Sequence, residues 1–146
     1  MRTLLIWVVI LFASLTACKK EEERTTMTND VITHPVTDTL GKGVFKGEQH
    51  SLSGKAILLK ENTANVILRL EQFYMSAVPD AHVYLSKTNA YSTGSVLKVS
   101  DFLINTNYNN SNITIDIADN INVSEYNYVI VWCTQYGAYF GSAPLE

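Results

Sequence analysis

The chain has 146 residues, 47% of them hydrophobic and 17% charged, with a formal net charge of −3. That length builds one hydrophobic core and is too short to expect two. The mild acidity and the lack of clustered Lys and Arg exclude a nucleic-acid partner held by a basic surface.

Taken in order, the chain opens with Met1-Arg2 and an apolar run from Leu4 to Phe12, followed by small residues. One positive charge, a short apolar segment and small residues before a break predict a secretory signal peptide over residues 1–17. The run falls short of the roughly 20 residues that span a bilayer. Leu15-Thr16-Ala17-Cys18 resembles the bacterial lipobox, whose cysteine sulfur takes a diacylglyceryl group before cleavage makes it residue one. That resemblance implies a lipidated Cys18, a mature chain of about 129 residues, and a membrane as partner through the anchor. Each buried methylene of such an anchor contributes about 0.8 kcal/mol.

Lys19-Lys20-Glu21-Glu22-Glu23-Arg24 is a charge run without apolar periodicity, and Thr25 to Thr39 stays polar. Residues 18–39 are expected to form a solvated tether. Position 19 is Lys where Asp would signal inner-membrane retention, so an outer-membrane lipoprotein is expected, facing the periplasm or displayed at the surface.

The folded domain is expected over 40–146. Gly41-Lys42-Gly43 reads as a turn, Val44 to Gln49 as a first strand and Ser53 to Lys60 as a second, with Glu61-Asn62 turning into a third. Ala64, Val66, Leu68 and Leu70 then alternate with Asn65 and Arg69, the period of a strand. Ala81, Val83 and Leu85 alternate with His82, Tyr84 and Ser86, entered through Pro79-Asp80. Lys87 to Gly94 is a polar loop, Val96 to Leu103 has room for one helical turn, and the Asn-rich run from Asn105 to Asn112 reads as loop. Ile113, Ile115 and Ile117 mark another strand.

The last stretch, Tyr126 to Cys133, is apolar on both faces, with Val129, Val131 and Cys133 on one and Tyr128, Ile130 and Trp132 on the other. Such a strand lies centrally and is covered on both sides. A return strand follows around Tyr139-Phe140-Gly141. Short strands with frequent turn signals and no helical stripe predict an all-β fold, an antiparallel β-sandwich or barrel of about seven to nine strands.

If Cys18 is lipidated, Cys133 has no disulfide partner, and an exported unpaired thiol is either buried or used. After Lys98 the chain has no Lys or Arg, while Asp101, Asp116, Asp119, Glu125 and Glu146 are acidic. Those neighbours and burial both disfavour a thiolate, the form that reacts and binds metals.

Gly43-x-Phe45, His50-x-x-Ser53-Gly54, Phe73, Pro79-Asp80-x-x-Val83-Tyr84-Leu85 and Tyr126-x-x-Val129-Ile130-x-Trp132-Cys133-x-x-Tyr136-x-x-x-Phe140-Gly141-x-Ala143 resemble the DM-thirteen domain family. The resemblance spans about Leu40 to Glu146, and its most specific part is Trp-Cys followed by Phe-Gly. It departs mildly at Tyr136, where phenylalanine is usual. It implies a role in electron transfer, with the cysteine as a bare thiol or as ligand to a group such as haem.

His50, His82 and Asp80 are the other candidate ligands. A Cys-His-His-Asp set suits zinc chemically, but no close-spaced ligand pair accompanies it, and no metal is expected. Cys133, His82 and Asp80 have the residue types of a hydrolytic triad without its nucleophile-elbow motif. Trp132, Tyr136 and Phe140 are candidate walls of a flat cofactor pocket, or else cross-strand packing. Two readings stay open: a redox accessory using Cys133 with an envelope redox or surface protein as partner, or a non-catalytic module with Cys133 in its core. Neither requires an enzyme.

Overall fold

In the computed structural model, which describes residues 36–48, 50–61, 65–100, 103 and 105–146, the chain forms nine strands in two antiparallel sheets. The expected signal peptide, Cys18 and the tether up to residue 35 lie outside the described residues, as do Gln49, Asn62 and Ala64. The first sheet has the order β1 (Val36–Val44), β3 (Leu52–Glu61), β4 (Asn65–Met75), β7 (Tyr108–Ile117). The second runs β2 (Lys46–Gly47), β9 (Ala138–Pro144), β8 (Tyr128–Cys133), β5 (Ala81–Ser86), β6 (Val96–Ser100). Among the described residues the only helix is the single 3-10 turn Val123–Glu125. Of the expected all-β sandwich or barrel, the sandwich is the observed class.

Alternation explains the layers. Leu58, Leu68 and Ile115 stand in one row across β3, β4 and β7. Val83 and Val131 stand opposite each other across β5 and β8. All five are buried in one core cluster with Phe45, Phe73 and Phe140. Each aliphatic side chain fully buried there contributes about 1.5–3 kcal/mol relative to exposure. Phe73 sits at the centre, meeting Phe45 edge-on at 5.6 Å and Tyr108 edge-on at 5.5 Å.

Three local expectations are corrected. Gly41-Lys42-Gly43 is not a turn but the interior of β1, paired with Leu58, Ile57 and Ala56. On its other side Lys42 exchanges both backbone hydrogen bonds with Glu146, at 3.0 and 3.1 Å. A Cβ at Gly43 would fall on the carbonyl oxygen of Pro144. The glycine therefore allows two backbones to meet where the sheets join; it does not reverse the chain. At Gly141 too an added Cβ would strike backbone, here the carbonyl oxygen of Lys46 in β2, the neighbouring strand of the second sheet.

The Asn-rich run is also strand from Tyr108 onward. β7 is an edge strand, so its outward side chains are free to be polar. Asn112 Oδ1 accepts the backbone N–H of Gln72 (3.1 Å) where β4 departs from regular register, and Asn107 Oδ1 accepts that of Ala77 (2.8 Å). Asn110 adopts a φ of 55°, which asparagine tolerates better than most residues. Finally, Val96–Ser100 is strand β6 and not a helical turn, because its backbone pairs with β5.

Candidate functional site

β8 lies between β5 and β9, so both of its edges are satisfied within the sheet. Its last residue, Cys133, stands in a row with Ala81 and Ala138. Those small neighbours leave room for sulfur, and the side chain is 1% exposed. The thiol donates a hydrogen bond to the carbonyl oxygen of Pro79 at 2.9 Å. The next residue ties down the same corner, Thr134 N–H donating to the Asp80 carbonyl at 3.1 Å.

The two histidines are elsewhere. His82 pairs with Trp132 in the register that pairs Ala81 with Cys133. Adjacent residues of a strand point to opposite faces, so the sheet itself separates the imidazole from the sulfur. His82 is 7% exposed, and its Nε2 lies 2.8 Å from Asp80 Oδ1. His50 is exposed and stacks on Phe140, with centroids 4.2 Å apart and planes 19° apart. Of the candidate ligands Cys133, His50, His82 and Asp80, the fold brings together only His82 and Asp80. Among the described residues no three His, Cys, Asp or Glu gather as a metal site.

The candidate aromatics separate too. Phe140 is 3% exposed in the core, Tyr136 is 67% exposed on the turn between β8 and β9, and Trp132 lies on the outer face of the second sheet. That outer face is where the sequence said least. β5 alternates in sequence, yet all six of its residues are buried. Its outward side chains, His82, Tyr84 and Ser86, are covered because the loop after it folds back over the sheet. Lys87 N–H bonds the Ser95 carbonyl at 2.9 Å, and Tyr139 Oη donates to the Asn89 carbonyl at 2.8 Å, pinning the loop down.

Within that loop Tyr91 stacks on Trp132, with centroids 4.3 Å apart and planes 8° apart. Its other contact is Tyr84, edge-on at 5.2 Å, and Tyr84 in turn meets His82 edge-on at 6.1 Å. Tyr84 Oη and Thr134 Oγ1 share a hydrogen bond at 3.3 Å. Burial raises the phenol of Tyr84 above its ordinary 10.0, the Thr134 hydroxyl opposing this. Burial likewise raises Tyr139. Tyr91 was missed from sequence; the available signal was one aromatic inside a loop rich in Asn, Ser, Thr and Gly.

Residues 44–145 match the family model described as "Electron transfer DM13". No curated protein and no solved structure matches the chain.

Proposed function

The chain belongs to the DM13 electron-transfer family, and from that premise we propose an accessory of electron transfer in the cell envelope in which Cys133 packs and does not carry the electron. Its anchor is a lipidated Cys18, its location the outer membrane, and its partner an envelope redox or surface protein. The signal segment and Leu-Thr-Ala-Cys support the anchor, and Lys19 supports the membrane. One observation carries the assignment of Cys133: a 1% exposed sulfur whose hydrogen goes to a main-chain carbonyl. Redox and metal-binding cysteines work as accessible thiolates near positive charge. Here the sulfur is closed off from solvent, and the His82 imidazole lies on the opposite face of the sheet.

A non-catalytic binding or structural module of the envelope is the second reading, favoured by the same buried sulfur. Membranes from cells lacking the protein separate the two. We expect slower electron transfer after deletion, and full rescue by both the wild type and Cys133→Ala. A deletion without effect would leave only the binding module. A folded Cys133→Ala that fails to rescue would return the cysteine to the redox chemistry.

A further inference from the structure

With the thiol enclosed, the redox-capable side chains that remain in contact are aromatic. Trp132, Tyr91 and Tyr84 form an unbroken series on the outer face of the second sheet, stacked at 4.3 Å and then edge-on at 5.2 Å. Trp132 and Tyr91 are half-buried and reach the surface, whereas Tyr84 is 6% exposed. The inner end has a proton outlet, since Tyr84 Oη is bonded to Thr134 Oγ1 and Thr134 is exposed. Indole and phenol are the side chains most readily oxidised by one electron after thiolate. A phenol that also sheds its proton ends as a neutral radical, which suits a site with little water. An aromatic cluster that served packing alone would need neither a surface-to-interior order of exposure nor an exposed hydroxyl at the buried end.

We propose that Trp132, Tyr91 and Tyr84 are a one-electron relay joining the protein surface to a buried tyrosine. This rests on the electron-transfer reading and assigns it a path that omits Cys133. The co-reactant is a one-electron metal oxidant. It takes one electron from the indole of Trp132 and is itself reduced by one. An electron from Tyr91 fills that vacancy as the phenol proton of Tyr91 leaves to water, and Tyr91 takes back an electron from Tyr84 and a proton from water. The O–H bond of Tyr84 then breaks, its proton passing to Thr134 Oγ1 and on to water, which leaves a neutral radical on Tyr84.

The test uses the purified lipidated protein in detergent, with photo-oxidised ruthenium tris-bipyridine as oxidant and a cobalt ammine as the sacrificial acceptor. Transient absorption and electron paramagnetic resonance read the radicals. Trp132 is the only tryptophan beyond Trp7 of the signal segment, so an indolyl signal is unambiguous in the mature chain. The expected sequence is an indolyl radical decaying into a tyrosyl radical that survives a water-soluble spin relaxant. Tyr91→Phe keeps a ring on Trp132 but removes the oxidisable phenol, and it should lower the protected tyrosyl yield at least tenfold with an unchanged Tm. Tyr84→Phe should abolish that protected signal, and Tyr136→Phe, at the exposed turn, should leave it intact. A protected yield unaltered in Tyr91→Phe, or in Tyr84→Phe, would overturn the relay. Because this is read in isolated protein and the envelope role in membranes, either can fail while the other stands.

Discussion

Cys133 and Pro79 are joined by a thiol–carbonyl hydrogen bond of 2.9 Å that spans 54 residues of sequence. It ties the end of β8 to the corner that begins β5, and it gives a free, buried thiol a hydrogen-bond acceptor. Sulfur here is both a small core atom and a donor. The consequence is a molecule in which the residue most suggestive of chemistry is held out of reach, while aromatic side chains occupy the accessible face.

Cys133→Ala should therefore cost about 1–3 kcal/mol, the loss of a buried sulfur and of the donor to Pro79. Chemical denaturation monitored by circular dichroism measures it. A change near zero would mean that the sulfur contributes little to packing.

Gly43→Ala should be far worse than Gly94→Ala. At Gly43 the methyl would overlap the backbone of Pro144, so one strand at the seam must move, an effect of about 3 kcal/mol or more. At Gly94 nothing lies within 4 Å, and only its φ of 89° penalises a side chain, by about 1–2 kcal/mol. Equal losses of stability in the two variants would contradict the seam.

Tyr91→Ala should uncover the indole of Trp132. The expected signs are red-shifted emission, faster quenching by iodide and a stability loss of about 1–2 kcal/mol. Unchanged quenching would mean that the loop does not cover the tryptophan in solution.

Alkaline pH should weaken the fold through Tyr84 and Tyr139. Both phenols are raised above 10.0, chiefly by burial, so the native state keeps their protons after the unfolded chain has begun to lose them. Below about pH 10 both states are protonated and these groups add no slope. Above it the unfolded chain holds fewer protons, and stability falls with pH until the raised native values are passed. Tm measured across that range should fall less steeply in Tyr84→Phe than in the wild type.

Much of this architecture was legible in the sequence because burial writes a period of two into β4 and β7. β8 reads differently: apolar on both faces, it is expected to be central and covered, and Val129, Val131 and Cys133 are buried in the core while Ile130 on the other face is buried too. Glycine misled at positions 41 and 43, since close approach of two backbones demands the same residue as a tight turn. The polar run at β7 misled because an edge strand with one wet face has no need of apolar alternation. Alternation in β5 could not reveal that His82, Tyr84 and Ser86 are covered, since their cover comes from a loop whose return is a tertiary event. For the same reason Trp132 could be suspected of a role while its stacking partner, Tyr91, could not.

The enclosure of Cys133 is tested most directly by the rate at which a small thiol reagent modifies it in the native protein, compared with the same protein in denaturant. Modification should proceed only as fast as the domain opens, at least a thousandfold slower than in denaturant and tracking global stability. Rapid native modification, insensitive to stabilising conditions, would contradict it and give the electron back to the sulfur.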